Sequence, residues 1–504
     1  MHTALLLERA AEALADRPAM GPSQAPVSYA QLWARARAAA AAISRRPGET
    51  VVHIGLNSPA VPLAIFASGL LGRPYAPLNY RLPDDDLRRL LARTAPATAI
   101  VDDDMVARVA GVAGIEIIPR SLLEAGATAD AHLDADLPFA EPDIAVLLFT
   151  SGTTGEPKAA ILRHRHLASY VISTVDFAGA EEGEAALVSV PPYHIAGVSA
   201  VLTGVYGGRR IVHLPAFTPE AWVEVAATEG ITHAMVVPTM LGRILQVLDE
   251  RGESLPQLQA LSYGGGRMPT SVIERALARL PHVGFVNAYG LTETSSTIAV
   301  LGPDDHRAAR TSDDAAVRRR LGSVGRPLPG LELEIRGPGG DLAAPGDPGE
   351  VWVRGEQISG EYVGRKVIGD DGWFPTNDSG WLDEEGYLFI DGRLDDVIVR
   401  GGENISPGEI EDALRTHPAV ADVAVLGVPD DEWGERVAAV VVTSTPANAD
   451  ELRAWVHGRL RSTKVPTDIL FRAELPYNDT GKLLRRVLKG QIVAAKDHKD
   501  AVAS

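Results

Sequence analysis

The chain of 504 residues contains no cysteine and few lysines. Without cysteine it has no disulfide bond, no thiolate metal ligand and no cysteine nucleophile. Of its 48 basic residues only seven are lysines, so arginine supplies most of the positive charge. A lysine that lies within a motif is therefore more informative here than a lysine usually is.

The sequence also lacks an excess of positive charge and a long apolar run. With 66 acidic residues against 48 basic ones the net charge is −18, which would repel a polyanion such as DNA. The longest apolar stretch, residues 61–71, is too short to span a bilayer. Glu8 and Arg9 interrupt the first apolar residues, so the amino terminus does not look like a targeting signal. We therefore expect a cytoplasmic protein that binds neither nucleic acid nor a membrane.

What the sequence does contain is the composition of a folded protein, with 45% hydrophobic and 23% charged residues. Through the first three quarters, β-branched runs alternate with helical patterns, one of which begins with a capping box of Ser28 and Gln31. Strands are predicted at residues 50–54, 99–102, 144–150, 210–214, 233–237 and 283–287, and helices at 84–94 and 270–280. This alternation predicts an α/β fold with parallel sheets covered by helices.

The amino-acid composition changes after about residue 330, where glycine and proline become frequent. Further elements are predicted there, namely strands at residues 350–354, 387–391, 419–428 and 436–443 and a helix at 450–461. The first two strands indicate a small antiparallel barrel or sheet, and the later elements a compact α+β domain. We expect a domain boundary near Arg393 and a second capping box, of Ser406 and Glu409, at the start of the next helix.

A loop rich in hydroxyl groups and glycine follows the predicted strand 144–150 and ends at Lys158. Glycines let backbone N–H groups converge on an anion, hydroxyls add donors, and the lysine adds a charge. The loop is therefore a candidate phosphate cradle, although an ordinary strand-to-helix turn has a similar composition. Its candidate phosphate ligands are Thr150, Ser151, Gly152, Thr153, Thr154, Gly155 and Lys158.

His194 and the pair His164 and His166 are interpreted differently. Tyr193 and His194 follow two prolines, whose rigid backbone would aim both rings in one direction, towards a carboxylate or the mouth of a pocket. A lone histidine is, however, more often simply exposed or satisfied by its neighbours. His164 and His166 lie between arginines and are expected at a solvated helix start rather than in a metal site.

Polar groups and glycines also follow predicted strands in the second half of the chain. Three consecutive glycines, residues 264–266, indicate a close backbone approach, either to a flat ring or within a strand-to-helix turn. Tyr289 and Glu293 lie just past a strand end, where a ring could stack on a base and a carboxylate could hold Mg²⁺. Asp378 suits a ribose diol, while Lys482 taken alone would be a surface charge.

The order and spacing of these motifs resemble the adenylate-forming superfamily, which includes acyl-CoA synthetases. The resemblance extends from residues 28–32 to Lys482, and the segments 150–158 and 386–411 are highly specific to the family. It implies a large amino-terminal domain, residues 1–392, with parallel-rich sheets packed by helices and a small β-barrel. Residues 393–396 would be a hinge, and residues 397–504 a small mobile α+β domain that carries Lys482.

The resemblance also implies a role for each motif in an acid–CoA ligase that uses ATP and Mg²⁺. Residues 150–158 would hold the β- and γ-phosphates, and Thr292 would donate to the α-phosphate. Glu293 would bind Mg²⁺, and Lys482 would bridge the acid and the α-phosphate. The remaining nucleotide-binding residues would be Gly264, Gly265, Gly266, Asn287, Ala288, Tyr289, Gly290, Asp378 and Arg393.

In such enzymes the small domain then rotates, here about Asp395, to present its other face to coenzyme A. Its thiol passage would be lined by Gly401, Gly402 and Glu403, and Tyr193 and His194 would gate the second half-reaction. Two positions depart from the family pattern. Asn377 stands where many members carry glycine, and Arg267 stands where many carry a small or apolar residue, so Arg267 either alters the acid pocket or faces away from it.

Other readings of the sequence stay open. One retains adenylation but activates nitrite for diazotisation of an aromatic amine, or forms an amide or acylates a carrier protein without coenzyme A. Another is a binding protein without catalysis, which the joint presence of Lys158, Glu293, Asp378 and Lys482 disfavours. The sequence does not identify the acid, and whether the chain forms a homodimer is also left open.

Overall fold

The computed structural model describes residues 1–126, 144–150, 157–430, 432–477 and 483–492. In this part of the chain two large sheets, a small antiparallel sheet and a carboxy-terminal sheet account for the strands. The fold is α/β, as predicted. None of the described helices is long and apolar enough to cross a bilayer.

The first sheet has nine strands among the described residues, parallel at its centre and antiparallel at both edges. In spatial order they are Arg326–Pro327, Ser296–Leu301, Gly284–Leu291, Ala260–Gly264, His233–Val236, Ala185–Val188, Arg210–His213, Pro18–Met20 and Val27–Ser28. The central strands are covered by helices and carry few polar residues, as parallel strands buried on both faces do.

The second sheet contains eight strands within the described ranges. Their order is Arg365–Lys366, Glu361–Tyr362, Lys158–Arg163, Ile144–Thr150, Tyr75–Pro77, Thr50–Ile54, Ala97–Val101 and Ile115–Pro119. Here the segment after Thr150 leads into the strand Lys158–Arg163, which pairs antiparallel with Ile144–Thr150. The alternative of a strand-to-helix turn at this loop is therefore wrong.

The two smaller sheets belong to the last third of the chain. Four antiparallel strands of the described part form the predicted small sheet, Glu332–Arg336, Gly349–Arg354, Phe374–Leu382 and Leu388–Arg393. The other sheet contains Glu403–Ile405, Ile398–Arg400, Gly434–Thr443 and Val420–Asp430, with Asp468–Phe471 parallel to Gly434–Thr443. Buried side chains from residues 398–492 form two hydrophobic cores that include residues of this sheet.

Helices connect the strands and cover the sheets. In the large domain they are Ala4–Ala13, Tyr29–Ser44, Ala60–Leu71, Asp84–Ala92, Val106–Val109, Arg120–Gly126, His164–Thr174, Ile195–Gly207, Pro219–Thr228, Pro238–Arg251, Thr270–Arg279, Pro303–Thr311 and Ala315–Arg319. The small domain adds Pro407–Arg415 and Ala449–His457. The capping box of Ser28 and Gln31 is present, as predicted.

The second predicted capping box is wrong. The helix Pro407–Arg415 begins with proline, but the Ser406 side chain makes no cap bond to it. Its hydroxyl instead donates to the backbone oxygen of Asp391 at 2.8 Å, on the other side of the predicted domain boundary. A tertiary partner has therefore replaced the local one.

The histidines at 164 and 166 are buried, with 6% and 3% of their surfaces exposed, so the expected solvated helix start is also wrong. The His164 ring stacks on His2 at 3.6 Å between centroids, and its Nδ1 lies 2.9 Å from the hydroxyl of Thr3. Burial lowers the pKa of His164 to about 3, which keeps the ring neutral. His164 therefore fastens the amino terminus to the helix His164–Thr174.

Candidate active site

Tyr289, Asp378 and Arg393 meet although they belong to three different strands, Gly284–Leu291, Phe374–Leu382 and Leu388–Arg393. The Tyr289 hydroxyl donates to Asp378 Oδ2 at 2.5 Å, and Arg393 Nε lies 3.2 Å from Asp378 Oδ1. Arg393 also donates to the carbonyl oxygen of Thr376 at 2.7 Å. The strand register sets Asp378 directly opposite Arg393, so pairing of Phe374–Leu382 with Leu388–Arg393 assembles the group.

Burial gives this group its electrostatic character. Only 5% of the Asp378 surface is exposed, and the carboxylate is compensated by the arginine and the tyrosine hydroxyl. Burial raises the pKa of Tyr289 well above its usual range, and the neighbouring Asp378 charge raises it further. Tyr289 is therefore a stable proton donor. A carboxylate has room for further bonds beyond these two, so Asp378 can still accept from a diol.

Glycines 264 and 290 are required by the close packing of the strand ends. A Cβ on Gly264 would overlap the carbonyl oxygen of Ala288, and one on Gly290 would overlap that of Ser296. Gly265 has φ +77°, a turn conformation, whereas a Cβ on Gly266 would make only ordinary van der Waals contacts, with Pro238 at 3.9 Å. Asn287 in the adjacent strand donates to the Ser323 carbonyl at 3.0 Å. The close approach expected at the three glycines is thus between strands at 264 and within a turn at 265.

Thr292 and Glu293 lie in a single 3-10 turn, Thr292–Thr294, at the carboxyl end of the strand Gly284–Leu291. Ser295 and Ser296 follow with φ of +57° and +112°, values that are rare for residues other than glycine and common at functional sites. The Glu293 side chain accepts a hydrogen bond from the hydroxyl of Tyr362. Burial, together with the Glu293 charge, raises the pKa of Tyr362.

Glu293 fits the part of a magnesium ligand. Among the described residues, no three or more histidine and carboxylate side chains cluster as a complete metal site. Mg²⁺ does not need such a cluster, because it keeps several waters and binds one or two carboxylates together with substrate phosphates. A single half-buried carboxylate beside the strand ends suits this ion.

Thr150 and Lys158 are the two ends of the predicted phosphate loop, and they lie opposite each other across the antiparallel strand pair. The Thr150 hydroxyl donates to the Lys158 carbonyl at 3.4 Å. On the exit side, Arg93 donates to the Pro157 carbonyl at 2.8 Å. The loop residues Ser151, Gly152, Thr153, Thr154 and Gly155, and the predicted Lys482, lie outside the described residues.

His194 occupies the residue before the helix Ile195–Gly207 and is half-buried. Its ring lies 4.7 Å from that of Tyr193, which in turn meets Tyr80 edge-on at 5.7 Å. A Cβ on Gly197 would lie 2.9 Å from the carbonyl oxygen of Pro191, so the helix starts tightly against the proline pair. The proline backbone thus brings the two predicted rings together with a third, Tyr80.

Gly401 and Gly402 form the turn between the strands Ile398–Arg400 and Glu403–Ile405, with φ of +57° and +83°. Glu403 pairs with Arg400 in that hairpin. The Gly401 N–H donates to the carbonyl oxygen of Trp433 at 2.8 Å. Trp433 packs so closely that a Cβ on Gly401 would lie 2.8 Å from its ring, yet 47% of its surface stays exposed. The turn therefore presents a narrow backbone edge beside an exposed aromatic surface.

The two positions that depart from the family pattern both contact the predicted hinge or small domain. Arg267 Nη2 donates to Asp412 Oδ2 at 2.6 Å, so this side chain faces the helix Pro407–Arg415. Asn377 has φ +61°, a conformation that asparagine tolerates better than other residues with side chains. Its amide donates to Asp395 Oδ2 at 3.3 Å.

Sequence reasoning missed Tyr362. Its contact with Glu293 joins residues that are 69 positions apart, and no local sequence pattern indicates such a contact. The only signal is an aromatic residue in the segment 359–362, which is too common to single out a site.

Two family models and several known proteins match most of this chain. Residues 7–363 match the model of the AMP-binding enzyme family, and residues 409–482 match that of the AMP-binding enzyme C-terminal domain. The chain is 35% identical to a feruloyl-CoA synthase of Amycolatopsis sp, over 87% of this chain and 88% of that protein. It is 32% identical to the indoleacetate–CoA ligase of Aromatoleum aromaticum, over 93% and 94%.

Among solved structures, the O-succinylbenzoate coenzyme A synthetase of Bacillus subtilis in complex with ATP and magnesium superposes with a TM-score of 0.82. The two chains are 28% identical, and the match covers 95% of this chain and 98% of that one. The large and small domains described above both take part in this match.

Proposed function

This chain belongs to the AMP-binding enzyme family, and we propose that it converts a carboxylic acid that carries an aromatic ring into its coenzyme A thioester. The family relationship makes the reaction class that of an AMP-forming acid–CoA ligase, which uses ATP and Mg²⁺ and takes coenzyme A as co-substrate. The observation that carries the proposal is the match of both family models to one chain, over residues 7–363 and 409–482.

The chemistry explains why such a site needs several positive groups. A carboxylate is a poor electrophile, so its oxygen first attacks the α-phosphorus of ATP. The bond from that phosphorus to the bridging oxygen breaks, pyrophosphate leaves, and acyl-AMP remains. Negative charge gathers on the phosphates in this step, so catalysis consists mainly of positioning and electrostatic stabilisation. When bound at Glu293, Mg²⁺ supplies part of that stabilisation.

The described residues would share the remaining work. Asp378 and Arg393 would hold the ribose, and Tyr289, tied to Asp378, would contact the adenine. Thr292 would donate to the α-phosphate, and Lys158 would hold the outer phosphates with the loop that precedes it. Gly264–Gly266, Asn287, Ala288 and Gly290 would shape the surrounding wall.

Lys482 would complete the site from the small domain. A lysine between the acid oxygen and the α-phosphate neutralises both partners, which otherwise repel each other. After adenylation, residues 397–504 would rotate about the hinge 393–396. The turn at Gly401 and Gly402, with Glu403, would then lead the thiol to the acyl carbonyl, where sulfur displaces AMP.

The preference for a ring-bearing acid is supported by two observations. The names of the relatives and the neighbouring structure given above all refer to acids that contain an aromatic ring. In this chain the rings of Tyr80, Tyr193 and His194 contact one another in succession, and the half-buried His194 ring would stack against such an acid. A cytoplasmic location remains a prediction from the sequence.

Two measurements test the proposal. Pyrophosphate release is followed over a panel of aromatic, fatty and short aliphatic acids, each with and without coenzyme A, and over nitrite with an aryl amine. We expect aromatic acids to react fastest and to yield thioesters. Preference for an aliphatic acid would overturn the substrate class. Release of ADP, or products that form only without coenzyme A, would overturn the reaction.

The second measurement addresses Lys482. Lys482→Ala should abolish formation of acyl-AMP but spare thioester formation from acyl-AMP supplied ready-made, because the lysine acts only in the first step. Lys489→Ala is the matched control. Lys489 lies on the same carboxy-terminal segment as Lys482, and its Nζ pairs with Glu435 at 2.8 Å. Equal loss of both half-reactions in the Lys482 variant would refute the assigned role.

A further inference from the structure

The Glu293 side chain is held by a residue that the sequence motifs do not indicate. The hydroxyl of Tyr362, on the short strand Glu361–Tyr362, donates to Oε1 of the Glu293 carboxylate. We propose that Tyr362 is a positioning residue for the magnesium ligand: it fixes one carboxylate oxygen of Glu293 and leaves the other to bind Mg²⁺. This inference rests on the proposed function, in which Glu293 binds the metal of Mg–ATP.

The backbone beside Tyr362 holds the same residue a second time. The N–H groups of Ser359 and Gly360 donate to the Glu293 carbonyl at 2.9 and 3.2 Å. Gly360 has φ +56°, and a Cβ there would lie 2.7 Å from that of Ile368. Only glycine therefore allows the chain to pass this close. Backbone and side chain of Glu293 are thus both held by one segment, residues 359–362.

That segment is itself anchored on the strand that leaves the phosphate loop. Tyr362 pairs with Ala160, and Val363 N–H donates to the Ala159 carbonyl at 2.9 Å. Arg163 Nη2 lies 2.6 Å from Glu361 Oε2, which fastens the segment at the far end of the strand. Because the strand begins at Lys158, the segment 359–362 connects the phosphate loop of the second sheet to Glu293 of the first.

The connection has a functional consequence. A glutamate side chain is flexible, and a metal ligand must be held in one rotamer to bind strongly. Groups that orient a metal ligand commonly change metal affinity by about 10-fold or more when they are removed. We therefore expect Tyr362 to affect the magnesium requirement of the enzyme rather than its affinity for the acid.

The experiment uses Tyr362→Phe, which removes the hydroxyl and keeps the ring. Mg²⁺ is titrated in an ATP–pyrophosphate exchange assay at fixed ATP and acid, and ATP binding is measured by calorimetry with and without Mg²⁺. We expect the half-saturating Mg²⁺ concentration to rise about 10-fold. The KM for the acid and ATP binding without Mg²⁺ should stay unchanged. Tyr387→Phe is the control, since that hydroxyl also donates to a carboxylate, Asp305, at 2.6 Å.

Several outcomes would overturn the inference. One is an unchanged Mg²⁺ dependence, and another is an equal loss of ATP binding with and without Mg²⁺, which would indicate general disruption of the fold. A second variant covers poor folding: in Glu293→Gln protein, adding Tyr362→Phe should change the Mg²⁺ dependence of ATP binding no further. The proposed function fails if the wild-type protein binds Mg–ATP but none of the acids tested supports pyrophosphate exchange. In that case the calorimetry still decides the role of Tyr362.

Discussion

The group of Tyr289, Asp378 and Arg393 and the contact between the two domains are both built on an arginine–carboxylate pair, but the two pairs have different surroundings. In the pair Arg393–Asp378 the aspartate side chain is 8% exposed and also accepts from Tyr289. In the pair Arg267–Asp412 the side chains are 42% and 30% exposed. The first pair lies wholly within the small antiparallel sheet, and the second joins two domains.

The two pairs differ in how much free energy is lost when the contact is broken. Removing one partner of a buried, multiply bonded carboxylate leaves charges without compensation, which is costly. A half-exposed ion pair is stabilised by only about 0.2–1 kcal/mol, because water competes for both partners. The first arrangement suits a permanent binding surface. The second suits a contact that opens and closes in each catalytic cycle, as the proposed rotation of the small domain requires.

The largest effect is expected at Asp378. Asp378→Asn should lower kcat/KM for ATP about 10- to 100-fold, because the amide cannot compensate Arg393 and accepts more weakly from a ribose diol. The measurement is ATP–pyrophosphate exchange over a range of ATP concentrations. Asp305→Asn is the control, since Asp305 also accepts from a tyrosine, Tyr387, but is not among the proposed nucleotide-binding residues. An ATP dependence like that of the wild type would remove Asp378 from the binding site.

Much of the fold could be predicted from the sequence because buried parallel strands are specified locally. The strands Thr50–Ile54 and Ile144–Thr150 have the bounds that their apolar, β-branched runs predict. The predicted strand 283–287 is longer than expected and extends to Leu291. Its last residues include the glycine and polar side chains of the site, which lower the local strand propensity while pairing with Ser296–Leu301 maintains the strand.

The site could be predicted only in part, because its contacts join distant positions. The resemblance to a family supplied Tyr289, Asp378 and Arg393, yet only the strand register shows why they meet. The contact of Tyr362 with Glu293 had no local signal. The errors at Ser406 and His164 have the same origin: each side chain found a tertiary partner, Asp391 or Thr3, in place of the solvent or the cap that its neighbours indicate.

Asp391 offers a smaller effect, one that depends on pH. It lies beside the domain contact, where Arg267, Glu409 and Lys464 face it and the Trp381 side chain donates to it. Burial raises its pKa from 3.8 to about 6. The folded protein therefore binds more protons than the unfolded chain between these values, so the contribution of Asp391 to stability falls as the pH rises through this window.

We expect Asp391→Asn to raise the free energy of unfolding at pH 8 by about 1–2 kcal/mol, since it removes a partly buried charge. The gain should shrink at pH 5 and vanish only below about pH 3, where the carboxyl group is protonated in both states. Urea denaturation at several pH values measures it. Asp383→Asn is a contrasting control that should destabilise at pH 8, because Asp383 is paired with Arg320 at 3.1 Å. A gain independent of pH would contradict the assigned cause.

The smallest effect is expected at the domain contact itself. Arg267→Ala and Asp412→Ala should each change the ratio of the adenylation and thioester-forming rates by less than about 5-fold and in the same direction, because each removes the same half-exposed pair. The double variant should change that ratio by less than the sum of the two single changes, since the shared pair can be lost only once. The two half-reactions are measured separately, with acyl-AMP supplied for the second. Additive changes would mean that the two side chains act independently, and the 2.6 Å contact would then not govern domain movement.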